Sequence, residues 1–497
     1  MSFLLTLKGQ VRKRLIQIYI DRSLYKEKQY IYCAQSHSDK EIETFSKAIE
    51  NHVALIVQLF ELASLQNCFS TKTHNRWATA LEYVKGLLIN PSRLSFISNS
   101  DNCSTVNNQS ISHFLSQSPW DHRRLIDWII TNGWHLIGKN GALAIDECAT
   151  PKAGDFSVGV NRQYCGNLGK VENCQVAVFM AYVKNGFRLL LDYRLYLPES
   201  WTSDRNRCDA AGIPPEFQCF KTKAELAYEL ICQAIEAKIK FSFVAMDGFY
   251  GKHPWLLTRI ENIEVTYVAD IGSKDRVIIE KPQYGIPPKK GIRGRKTSLI
   301  KILNTVPVRV EEIQKTIDRW RVIRIRESTD GFLEVKFAAI RVWRIDKDVN
   351  EPIPVWLLIR KDLDDSNVKY SLCNASSLCS LSKLARMQSE RYWIERSFQD
   401  AIDLAGMADY QVRNWDAWHH HMALVLLAML WITKEQKHFL SVKKSITPHD
   451  VVKIIQTLIP LKIKTSLKTA KIIIRNHRNR KSSRRSKMKK KNGPLIC

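Results

Sequence analysis

Twelve cysteines are scattered over 497 residues without a single C-x-x-C pair, which argues for reduced thiols and against a structural zinc site or a disulfide framework. Long apolar runs are missing too. The opening MSFLLTLKGQVRKRL is too short an apolar run for a secretory signal, and no run reaches the roughly 18 residues of a membrane span. The longest, MALVLLAMLWI, reads as a buried helix, so the expected compartment is the cytoplasm, with no membrane partner. Acid is scarce as well: 49 Asp and Glu stand against 76 Lys and Arg, a formal net charge of +27 and a pI near 9.6. That excess favours a polyanionic partner. Fourteen Lys or Arg and no acid fall between Lys462 and Lys491. This tail, with Arg478, Arg480, Lys481, Arg484, Arg485 and Lys487, is too polar to bury and is expected to bind DNA phosphates; the bland alternative is a solvated solubility tail.

What the chain does contain is three short blocks that end in carboxylates. They are ALAIDECATPKAG around Asp146, FSFVAMDGFYG around Asp247 and ERYWIERSFQDA around Glu395. An isolated Asp at a strand end is ordinarily a turn or cap residue, and a helical Glu is ordinarily solvated. Here both Asp residues directly follow buried-looking β runs (GALAI, FSFVAM) and precede loops, while the Glu lies in a helical stretch with Arg391 one turn earlier. Carboxylates converging from strand ends and a facing helix suit two Mg²⁺ ions about 4 Å apart, because Mg²⁺ prefers hard oxygen ligands. Mn²⁺ is expected to substitute. Arg391, four residues before Glu395, shares its helical face and is placed to contact a phosphate.

Two other motifs are decoys. Gly166-Asn167-Leu168-Gly169-Lys170 looks like a phosphate loop, but the first Gly of G-x4-G-K would fall on Tyr164 and no Ser or Thr follows Lys170. His419-His420-His421 cannot converge on one ion, since consecutive helical residues point about 100° apart.

The stretch DECATPKAGDFSVGVNRQYCGNLGKVENCQVAVFMAYV resembles the first-Asp region of DDE-type transposases of bacterial insertion sequences, and WIERSFQDAIDLAGMADYQVRNWDAWHHHMALVLLAMLWI resembles their Glu helix. QSISHFLSQSPWDHRRLIDWI and KYSLCNAS agree with the same family, and the resemblance runs from about Ala80 to Pro460. It implies an RNase H-like fold with Asp146, Asp247 and Glu395 as the metal-binding triad, and with Lys152 and Arg162 joining Arg391 as phosphate contacts. One metal between Asp146 and Asp247 would activate water at the end of the element; the other, between Asp146 and Glu395, would stabilise the leaving 3′ oxygen. The freed 3′-hydroxyl would then attack target DNA, and joining two ends implies a homodimer on double-stranded DNA. The chain departs from the wider family's Tyr-x2-Arg-x3-Glu-x6-Lys signature: Gln388 stands at the Tyr position and Ile402 at the Lys position. Glu147 is an outside candidate ligand. A catalytically inactive DNA-binding descendant and a non-mobile RNase H-like nuclease remain as alternatives.

The expected fold class is α/β: an RNase H-like mixed sheet with flanking helices, an inserted β-rich domain, a helical N-terminal region and a basic tail. Residues 1–135 read as a helical DNA-binding region (FSKAIENHVALIVQLFELASL, RWATALEYVKGLL) interrupted by a polar loop around 98–110. The first part of the catalytic core spans 136–280 and includes a hairpin across Lys184-Asn185-Gly186. Asp146 and Asp247 are 101 residues apart, and Asp247 and Glu395 are 148 apart, too far for a bare loop. The β-like runs RWRVIRIRES, EVKFAAIRVWRI and IPVWLLIRK place the insertion at 281–375. The Glu helix and its successor occupy 376–435, and the C-terminal helix and tail 436–497. Trp356 and Tyr370 in the insertion are candidates to stack on a flipped base, with core packing as the ordinary alternative.

Overall fold

The computed structural model describes residues 63–89, 106, 108–287, 301–328, 331–344, 352–440 and 446–458. Most of the run FSKAIENHVALIVQLFELASL, much of the polar loop near 98–110, part of the Gly/Pro-rich stretch after 287 and the basic tail lie outside the described residues.

A ten-stranded mixed sheet carries the architecture. Its first four strands are β1 (Gly141–Pro151), β2 (Asn161–Cys165), β3 (Lys170–Lys184) and β4 (Phe187–Leu195), followed by β5 (Phe241–Met246) and β6 (Tyr267–Ile271). Two-residue strands β7 (Arg276–Val277), β8 (Tyr284–Gly285), β9 (Lys301–Ile302) and β10 (Val308–Arg309) form two small ladders, β7 with β10 and β8 with β9. The sheet resumes with β11 (Arg321–Ser328), β12 (Gly331–Arg344), β13 (Ile353–Lys361) and β14 (Val368–Cys373). Its order is β11-β12-β13-β14-β6-β5-β1-β3-β2, with β4 also paired to β3.

Only β1, β5 and β6 run parallel to one another. The β3–β4 hairpin closes with Lys184 opposite Phe187, and its two-residue turn has Asn185 at φ 50 and Gly186 at φ 81. Both are left-handed, the conformation that a type I′ turn requires and that Asn-Gly tolerates best. The runs expected as an inserted β unit do form strands, and β14 pairs antiparallel with β6, so they continue the same sheet.

Fourteen α-helices are described. In chain order α1 (Ala63–Asn67), α2 (Trp77–Ile89), α3 (Asn108–Ser116) and α4 (His122–Ile137) precede the sheet. Next come α5 (Glu199–Thr202), α6 (Arg205–Ala210), α7 (Lys223–Glu236), α8 (Gly248–Gly251), α9 (Pro254–Asn262) and α10 (Val310–Lys315). The last four are α11 (Leu381–Glu390), α12 (Tyr392–Ala405), α13 (Trp415–Phe439) and α14 (Pro448–Leu458). Helix α7 opens with a complete capping box between Thr222 and Glu225, which satisfies donors that the first turn leaves orphaned. Helix α13 is the run MALVLLAMLWI with its flanks and is buried over most of its length against α4, α2 and α3. No helix among the described residues is long and apolar enough to cross a membrane.

The sheet face bearing Ala142, Ala245, Val268, Cys373, Leu358 and Phe337 is covered by Leu384, Ala385 and Met387 of α11. Helix α12 follows directly and is fixed to β4 by Arg188, whose Nε donates to Asp400 Oδ2 at 2.8 Å. Close approach sets the other end of the site: a Cβ on Gly251 would lie 2.0 Å from the Asp270 carbonyl oxygen. Gly251→Ala must push α8 away from β6. It is expected to lower stability by about 1–3 kcal/mol, the usual cost of overpacking, read as a fall in the urea midpoint; an unchanged midpoint would contradict this packing.

Candidate active site

The parallel register builds the site. Ile145 pairs with Met246, and Met246 pairs with Ala269. The next residue in each case is an acid, so Asp146, Asp247 and Asp270 stand in a row across β1, β5 and β6. Asp247 directly follows β5 and Asp270 is next to last in β6, whereas Asp146, expected at a strand end, lies mid-strand because β1 runs on to Pro151 in its pairing with β3. Side chains alternate along a strand, which puts all three on the face that bears Ala142, Ala245 and Val268, beneath α11 and α12. Asp247 also caps α8, accepting from the backbone N–H of Phe249 at 2.9 Å.

Arg391, at the junction of α11 and α12, lies between these acids. Its Nε is 3.0 Å from Asp270 Oδ2, one terminal nitrogen is 3.6 Å from Asp146 Oδ2, and the other is 2.8 Å from Glu395 Oε1. Glu395 is half exposed, whereas Asp146 and Asp270 are mostly buried. Burial opposes the charge of Arg391, but Asp270, Glu395, Asp146 and Asp247 outweigh that and hold its pKa above the usual value. Asp146 is pushed well above the ordinary carboxylate range by burial and then by repulsion from Asp247. Asp247 is raised by burial and by Glu147.

Asp270 is the member of the row that the sequence reading missed. Its signal was present, since YVADIG closes an apolar β run as the other two blocks do. Behind it, Ser371 Oγ donates to Asp270 Oδ1 at 2.5 Å, and Gln388 Nε2 donates to Ser371 Oγ at 2.8 Å. Gln388, which stands where the family signature has Tyr, is therefore part of a buried relay that ends on Arg391.

Other candidates lie elsewhere. Glu147 accepts from Lys223 Nζ at 3.1 Å and from the Tyr250 hydroxyl at 3.0 Å. Lys152, six residues past Asp146 and so about 20 Å along the strand, has its ammonium 3.2 Å from the Tyr410 ring centroid and donates to the Tyr410 carbonyl. Burial lowers its pKa to about 8. Arg162 is exposed on β2, opposite Asn173. Ile402 is partly buried and packs against the main core. Trp356 donates to the Ser376 carbonyl at 3.2 Å and lies beside Arg341, and the Tyr370 hydroxyl donates to Gln314. The glycines of the apparent phosphate loop make the turn between β2 and β3. The three histidines are spent in packing: His420 Nδ1 lies 2.7 Å from the Leu115 carbonyl and His421 Nδ1 lies 2.7 Å from the Tyr83 hydroxyl. A cavity of about 540 Å³ lined by His122, Arg123, Tyr193, Trp415 and His419, among others, contains none of the site's carboxylates.

A row of acids on parallel strands facing a helical Glu–Arg pair defines a candidate nuclease centre, and sequence comparison gives the class. Residues 64–331 match the DDE superfamily endonuclease profile, and the chain belongs to that family. A probable transposase for insertion sequence element IS701 from Microchaete diplosiphon is 32% identical over 183 residues, covering 36% of this chain and 44% of that protein. The chain thus matches less than half the length of that relative. A piggyBac transposase solved in a synaptic complex with hairpin DNA is similar over 89% of this chain and 83% of its own, at 10% identity and a TM-score of 0.37. A likeness at that score bears on neither fold nor function.

The family's chemistry calls for a divalent metal, and the donor set agrees in kind: all its members are hard carboxylate oxygens. Among the described residues no three His, Cys, Asp or Glu side chains converge as a ready ligand set; Arg391 lies between the acids instead. For Asp146 and Asp247 the folded pKa lies above the unfolded value, so the folded state retains protons that the unfolded chain releases. Their favourable contribution is therefore present at low pH and lost as pH rises from the ordinary carboxylate range through the raised pKa. Asp146→Asn removes that cost. Without added metal at pH 7 it is expected to raise Tm by about 2–4 °C, the shift that 1 kcal/mol gives a large domain. A lower Tm in the variant would contradict the charge-repulsion account.

Proposed function

We propose that the chain is a DNA transposase, with an RNase H-like core that cleaves strands at the ends of an insertion sequence and transfers them to target DNA. The observation that carries this reading is the row Asp146–Asp247–Asp270 across three parallel strands, faced by Glu395 and Arg391. Membership of the endonuclease family supports hydrolysis of phosphodiesters, and the IS701 relative supports mobility of the element.

Asp146, Asp247 and Glu395 would hold two Mg²⁺ ions, or Mn²⁺ in their place. Bound there, such ions would polarise the phosphodiester and lower the pKa of an attacking water. Arg391 answers a different need. Once the charge of Asp146 and Glu395 is neutralised, its two terminal nitrogens lose their partners and present a planar fork to a phosphate, the geometry that grips two oxygens at once. Arg162 is free on the surface to add a further phosphate contact. Lys152 would add one only by leaving Tyr410. The cationic tail would bind duplex DNA without regard to sequence, and the joining of two ends implies a homodimer. The missing signature Tyr would favour an inactive descendant, but Gln388 keeps a place in the site through Ser371 and Asp270.

The test is Mg²⁺-dependent cleavage of a duplex carrying the ends of the encoding element. Asp146→Asn, Asp247→Asn and Glu395→Gln are each expected to abolish cleavage while leaving metal-free binding intact; full activity in any of them would remove that residue from the site. Arg391→Lys keeps the charge and loses the fork, so its single-turnover rate should fall about 10- to 100-fold, the worth of a hydrogen bond to a charged group. A near-normal rate would sink the two-oxygen grip. Truncation after Leu461 should flatten the slope of log affinity against log salt by several units, at about 0.9 per phosphate. An unchanged slope would assign the tail to solubility.

A further inference from the structure

Beyond the carboxylates, the sheet carries cations that form no ion pair among the described residues. Lys369 lies two residues before Ser371 on β14, so it leaves the same face as the side chain that hydrogen-bonds Asp270, about 7 Å further out. Arg360 of β13 pairs directly with Lys369 and shares that face. Neither side chain has an ion-pair or hydrogen-bond partner among the described residues. Arg326 of β11 lies 3.8 Å from the ring centroid of Tyr392, the residue after Arg391. The pKa of Arg360 is lowered by burial, with Arg326 and Arg391 adding repulsion against the pull of Asp270 and Asp362. That of Lys369 is lowered by desolvation and then by Arg391 and Arg360, against the weaker pull of Asp270 and Glu395. Mutually repelling cations on a partly desolvated sheet face are costly unless an anion joins them.

We propose that Arg360, Lys369 and Arg391 form a seat for one phosphate group, built on β13 and β14 at the edge of the carboxylate row. Asp270 is its positioning residue. It holds Arg391 by Nε, so the two terminal nitrogens turn toward the seat when the other acids are neutralised, and the Gln388–Ser371 relay holds Asp270. In the proposed reaction the seat takes a backbone phosphodiester next to the bond being cut. That role rests on the transposase reading, whereas anion binding at the seat does not.

The experiment uses the full chain without metal, with inorganic phosphate as the first probe and a duplex oligonucleotide of arbitrary sequence as the second. Phosphate, compared with chloride at equal ionic strength, is expected to raise Tm by a few degrees. Arg360→Gln with Lys369→Gln should lose that rise while melting no lower than wild type in chloride, because a repulsion has been removed. The charge-keeping pair Arg360→Lys with Lys369→Arg should retain it. On the duplex, the Gln pair should lower the salt slope by about 1, since the seat neutralises one phosphate and each contributes about 0.9. No phosphate-induced rise in wild type, or a rise that survives in the Gln pair, overturns the seat. A duplex slope unchanged by the Gln pair, with the phosphate effect lost, overturns the diester role. Loss of the phosphate effect in a chain that binds no duplex upholds the seat and sinks the transposase reading.

Discussion

The parallel pairing of β1, β5 and β6 is the constraint on which the site depends. Ile145, Met246 and Ala269 share one row of the sheet, so the residues that follow must share the next. Period-two alternation makes this register stringent: a slip of one residue would send an acid to the opposite face and an apolar side chain into the site. Burial on both faces prevents that slip. Ala142, Ala245 and Val268 are locked under α11 on one side, and Leu143, Val244 and Tyr267 belong to the large core on the other. Hydrophobic packing thus aims charges that never touch it.

The row is electrostatically incomplete by itself. Burial first, and then repulsion from Asp247 for Asp146 and from Glu147 for Asp247, makes both carboxylates hold protons more tightly. Arg391 supplies a compensating charge, drawn from a helix junction and fixed by contacts to three acids. It is a single positive charge among four carboxylates, so a divalent cation would compete with it on favourable terms for Asp146 and Glu395. Asp270 differs from those two because Ser371 and Gln388 tie it into β14 and α11. A guanidinium with one tethered nitrogen and two released ones keeps its position while changing its partners.

Much of this was legible in the chain. Asp146 and Asp247 drew attention because each follows an apolar run, although β1 continues past Asp146 to Pro151, and Arg391–Glu395 because four residues make about one helical turn. The Asn185-Gly186 turn and strands β11 to β13 formed where their residue types required. Asp270 escaped notice because a lone strand-end Asp looks the same in sequence whether it caps a turn or faces an arginine. Its identity lies in the pairing with Ser371, a contact across 101 residues that no local pattern encodes. Lys152 read as a phosphate contact because charge is visible in sequence and a ring under the ammonium is not. Gln388 looked like a lost tyrosine for the same reason: its partner is Ser371, on a different element.

Pairing of β14 with β6 also changes what an insertion between the second Asp and the Glu means physically. A separate domain on a tether could move without disturbing the acids. Strands hydrogen-bonded into the same sheet cannot, because Ser371 and Asp270 are partners in both backbone register and side-chain contact. Whatever binds the outer strands therefore acts on the position of Asp270, and through it on Arg391. The cations of β13 and β14 and the acids of β1, β5 and β6 are two halves of one rigid surface. A phosphate drawn to the first half would be held in fixed relation to the second, and on the proposed function that would convert binding into the alignment that cleavage of a phosphodiester requires.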